Sequence, residues 1–88
     1  MTIIQDLKAE LIEVRKSEFK IYAKIAQEML IISKQQGQNQ IMLKVRCLDE
    51  IDKQMVDELV VDFKAKNFIV NIIKEKGNPY LTLNIKEK

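Results

Sequence analysis

The sequence has no histidine, one cysteine, one proline and two glycines in 88 residues. Without histidine there can be no histidine-based triad, dyad or metal site. A single cysteine, Cys47, rules out an intramolecular disulfide and argues against a secreted, cystine-stapled fold. Gly37 and Gly77 stand alone, so there is no glycine-rich phosphate loop. So little glycine and proline leaves little loop, and the chain should be mostly regular structure. No apolar run approaches the length of a membrane span, and the N-terminus lacks the basic head, apolar run and cleavage site of a signal peptide. The expectation is a soluble cytoplasmic protein, with no cofactor and no metal.

What is present fits one small folded domain, 1–88. Hydrophobic residues make up 47% and charged residues 32%, a balance that opposes disorder. A core of this size is marginal on its own, so self-association would help it. The net charge of +2 hides a division along the chain. Residues 1–37 carry +1, 38–47 carry +2, 48–63 carry −5 and 64–88 carry +4. Such a split predicts a surface with faces of different sign.

Residues 2–34 hold neither glycine nor proline, and Ile4, Leu7, Leu11, Val14, Ile21, Ile25 and Ile32 recur at steps of three, four or seven. That spacing predicts one long helix. At 1.5 Å per residue it spans about 45–50 Å, against ~23 Å for a seven-residue strand. From Phe19 to Ile32 it is apolar nearly all round, which predicts burial in the core. From Ile3 to Val14 the apolar stripe is narrower, and Ser17 and Glu18 interrupt it. Either the helix bends there and docks its arm on the domain, or the arm projects and pairs with a second chain. Covering the stripe by a partner helix makes Ile4, Leu7, Leu11 and Val14 the candidate homodimer interface.

Gly37 suits the left-handed position after a helix. Residues 40–47 alternate, with Ile41, Leu43 and Val45 on one side and Met42, Lys44 and Arg46 on the other, as a half-buried strand does. Asp49 can cap a second helix over 49–66, whose buried face is Ile51, Met55, Leu59 and Phe63, widened by Val56 and Val60. Alternation returns over 68–75 and 80–86, separated by a Lys76-Gly77-Asn78-Pro79 turn, so these form a hairpin. The predicted class is α+β in the order α-β-α-β-β, with the second helix packed on one face of a three-stranded mixed sheet and the long helix either beside it, the favoured arrangement, or on the opposite face. The strand-helix-strand portion is expected to be a parallel pair, with the last strand added antiparallel.

The acids Asp49, Glu50, Asp52, Asp57, Glu58 and Asp62 are read as a charged helix start and i,i+4 pairs with Lys53 and Lys66 rather than as a metal site. Cys47 beside Arg46 reads as a strand-end residue. Lys44, Arg46, Lys74, Lys76 and Tyr80 are candidate nucleic-acid contacts, from a basic hairpin tip and an outer sheet face that mixes cations, amides and an aromatic. The tail, from IMLKVR through DEIDKQMVDELVVDF to FIVNII and YLTLNI, resembles the later two-thirds of the Alba chromatin proteins, which begin with a strand absent here. The start, MTIIQDLKAELIEVRKSE, is similar to the opening helix of small proteins related to the tail of aminoacyl-tRNA amidotransferase, which continue helical where this chain turns to strands. No residue role follows from either likeness. The expected function is a non-enzymatic interaction or regulatory module that homodimerises, with nucleic-acid binding as the alternative. Small size and compositional bias would also suit a phage or mobile-element accessory protein.

Overall fold

The computed structural model describes the backbone of residues 3–88, and side chains from residue 9 onward. The expected helix start at Thr2 lies outside the described residues. The chain forms α1 (Ile3–Gln35), β1 (Gln40–Arg46), α2 (Glu50–Ala65), β2 (Phe68–Lys74) and β3 (Tyr80–Glu87), the order read from the periodicity.

The end of α1 and both ends of α2 are closed by chemistry local in sequence. At the end of α1 the Gln38 N–H donates to Ser33 O at 2.8 Å and the Gly37 N–H to Lys34 O at 3.1 Å. With Gly37 at φ +79°, these bonds satisfy carbonyls that the helix leaves unpaired. Asp49 caps α2, its carboxylate accepting the Asp52 N–H at 2.9 Å. Asp52 in turn accepts the Leu48 N–H at 3.0 Å, a variant of the reciprocal capping box. Asn67 ends α2 at φ +71°, and the Phe68 ring just beyond it meets Phe63 edge-on at 5.8 Å.

The sheet order is β1-β3-β2, and both neighbouring pairs are antiparallel. The expected mixed sheet with β1 beside β2 is thus corrected. These two strands run the same way, but β3 lies between them. The reason is visible in their inward faces. β3 offers Leu81, Leu83 and Ile85, all buried, and suits the centre. β2 offers Val70 buried, but Ile72 half-exposed and Lys74 exposed in the same register, which an edge strand tolerates and a central one does not.

Both helices cover one face, α1 against β1 and α2 against β2, and they touch each other. The core joins Ile41, Leu43 and Val45 with Leu83 and Ile85, and closes beneath Phe19 and Ala26 of α1 and Met55, Val56, Leu59 and Phe63 of α2. The strands are short and α1 is not, so the molecule measures 53 × 26 × 19 Å. Among the described residues no helix is long and apolar enough to cross a membrane.

Candidate interaction surface

At 100° per residue a long helix can present two different faces. In α1 one face, including Ile12, Phe19, Tyr22, Ala26, Leu30 and Ser33, is buried or half-buried on the domain. The other carries Leu11, Val14, Ile21, Ile25 and Ile32, all exposed. Val14 is 62% exposed and Ile21 59%, values ordinary for a surface lysine and costly for branched aliphatics in a row. The expectation that the Phe19–Ile32 half is enclosed is therefore corrected. Phe19 and Ala26 are enclosed, while Ile21, Ile25 and Ile32 belong to the outer face. Three strands are too narrow to wrap a helix that already shares the sheet with α2.

The outer face is a heptad series: Leu11, Val14, Glu18, Ile21, Ile25, Glu28 and Ile32 follow one another at alternating steps of three and four. Ile4 and Leu7 continue it in sequence, although their side chains lie outside the described residues. One flank of the series, Arg15, Tyr22 and Met29, is half-buried against the domain; the other, Glu10, Ser17, Lys24 and Ile31, is exposed. Helix α1 runs unbroken through Ser17 and Glu18, so no bend folds the arm back.

An ion cluster holds α1 at the point where it leaves the body. Arg15 Nη1 donates to Asp52 Oδ1 at 2.6 Å and to both Asp49 oxygens at 3.1 Å. Arg46 Nη2 donates to Glu18 Oε2 at 2.6 Å, and its Nε stands 3.7 Å from Asp52 Oδ2. Asp52 is fully buried, so these cations and the Leu48 N–H replace its lost hydration. Burial opposes the Arg15 charge, but the bonds to Asp52 and Asp49 outweigh it and raise its pKa. The Asp52 N–H, opposed by partial desolvation and aided by Arg15, holds the Asp49 carboxyl below its ordinary range. The i,i+4 pairs expected along α2 do not form among the described ion pairs, and Asp49 turns to Arg15 instead of Lys53. Burial first, and then the Asp52 carboxylate, raises the Cys47 thiol, which opposes reactivity.

The residues grouped as nucleic-acid contacts do not share a surface. Lys44 and Tyr80 lie on the open sheet face. Arg46 starts in the same register, but its guanidinium reaches back to Glu18 and Asp52 in the helix layer. Lys74 pairs with Leu81 and so belongs to the helix-covered side, near Cys47 and Asp57. Lys76 is exposed in the turn. The signal that could have separated them is register: Lys74 shares parity with the inward Val70 and Ile72. Arg15 and Asp52 were not singled out as a pair, since 37 residues separate them; only the Asp49-x-x-Asp52 capping spacing hinted that Asp52 turns inward.

Fold and surface together define a small two-helix, three-strand α+β domain that displays an apolar helical seam. Comparison with models of known protein families, with curated proteins and with solved structures found no match. The partial likenesses to Alba and to the amidotransferase-related proteins therefore gain no support from overall similarity.

Proposed function

We propose that this protein is a non-enzymatic interaction module that self-associates through the outer face of α1. The observation that carries the reading is the row Leu11, Val14, Ile21 and Ile25, exposed at heptad spacing along one continuous helix, whereas the other exposed apolar residues, such as Met42, Leu48, Val61 and Ile73, are spread over α2, the sheet and a loop. The protomer exposes 6518 Å², where a compact protein of 10.3 kDa exposes about 5,400 Å². That excess exceeds the ~800 Å² that each partner commonly buries in a stable interface. The radius of gyration is 14.7 Å, against about 12 Å for a compact chain of this length.

The experiment is light scattering of the protein beside a Leu7→Glu/Leu11→Glu variant. A dimer that the two charges dissociate supports the reading, and a monomer indifferent to them defeats it. The nucleic-acid alternative loses Arg46 to Glu18 and Lys74 to the opposite sheet side, so it is the weaker proposal. A salt-dependent gel shift with generic RNA or DNA would restore it.

A further inference from the structure

Resting on that reading, we infer that two copies of α1 pair antiparallel, crossing near Lys16, so that the arm of each copy lies along the body half of the other's helix. Two features of the seam lead there: where its acids fall and what its free flank carries.

Glu18 and Glu28 interrupt the apolar series. In a parallel pair every seam residue faces its own counterpart, which sets Glu28 against Glu28 in a like-charged layer and brings the two Arg46-paired Glu18 together in a second polar layer. Antiparallel pairing about Lys16 avoids both. Leu11 then faces Ile21 of the second copy, and Val14 faces the aliphatic stem of Glu18, whose carboxylate Arg46 already holds at 2.6 Å. Ile25 meets the turn that carries Leu7 in sequence.

The free flank favours this register over its neighbour one heptad toward the C-terminus. Crossing near Lys16 places Glu10 beside Lys24 of the second copy, twice by symmetry, and sets the two Ser17 side by side at the centre. A shift by one heptad toward the C-terminus opposes Glu10 to Ile31 and Leu11 to Glu28. Both Glu10 and Lys24 are exposed and absent from the ion pairs among the described residues, so both are available. The flank facing the domain, Arg15 and Tyr22, is occupied by α1's own contacts, and the opposite flank, Glu10, Ser17 and Lys24, is exposed.

The test uses cysteine variants in a Cys47→Ser background, because their sites are surface positions that folding does not need. Mixed Leu11→Cys and Ile21→Cys chains, mildly oxidised, should link to each other, and either chain alone should stay largely unlinked. A second arm reverses charges. Glu10→Lys should raise the dimer dissociation constant about tenfold through its two exposed pairs, and adding Lys24→Glu should restore it. Self-linking of Leu11→Cys, absence of any link in a dimer, or failure of the charge reversal to restore would overturn the antiparallel register while leaving self-association intact. A monomer at all concentrations would overturn both.

Discussion

Asp52 shows how one carboxylate can carry a junction between elements. It is fully buried, and its oxygens face Arg15, Arg46 and the Leu48 N–H. Removing Arg15 leaves that charge under-compensated, so Arg15→Met should cost about 2–3 kcal/mol, read as a lower urea midpoint. Arg15→Met with Asp52→Leu should recover part of the loss, since the buried carboxylate is removed together with its partner, while the Leu48 N–H and Arg46 Nε lose the same carboxylate. Asp49 adds a pH dependence of definite sign. Its folded pKa lies below the ordinary 3.8, so its stabilisation is complete above that value and is lost as pH falls through the folded pKa. Acid unfolding of Asp49→Asn should therefore show a shallower slope below about pH 4 than the parent, as followed by circular dichroism. None of this cluster was legible as a unit. The capping role of Asp49 is local and could be read, whereas the Arg15 contact depends on where α1 crosses the end of α2.

Among the elements, the helix ends are the most legible features. Gly37 and Asn67 both adopt positive φ, at +79° and +71°. A Cβ at Gly37 would meet nothing within 4 Å, so Gly37→Ala should lose only the backbone term, about 1 kcal/mol. Asn67→Gly should be near neutral and Asn67→Val should cost more than about 1 kcal/mol, because a β-branched residue resists the left-handed region. Thermal unfolding of the three variants checks the ranking. The strands were legible as well, and Ile41, Leu43, Val45, Leu81, Leu83 and Ile85 are buried as their alternation requires. Their order was not, because alternation records which face a residue occupies and not which strand lies beside it. Lys74, inward in register yet exposed, is the charged side chain that, with the half-exposed Ile72, marks β2 as an edge.

For the whole molecule, the consequential feature is elongation. A 33-residue helix sits on strands of seven or eight residues, and its outer face leaves Leu11, Val14, Ile21, Ile25 and Ile32 uncovered. If two copies share that surface, stability is linked to concentration. The urea midpoint should rise when protein concentration is raised about a hundredfold, and should be flat for Leu7→Glu/Leu11→Glu. Parallel measurements at two concentrations check this directly.

The order of elements, the helix caps and the division of each strand into an inner and an outer side were determined by the chain itself, since they follow from spacing and from residues within one turn of each other. The neighbours of β3, the burial of Asp52 between two arginines, and the exposure of Ile21 and Ile25 were decided only by tertiary structure. Each depends on how much surface the other elements leave available. A periodicity of three and four marks an apolar face on a helix, but a sheet three strands wide has room to cover only one such face of α1.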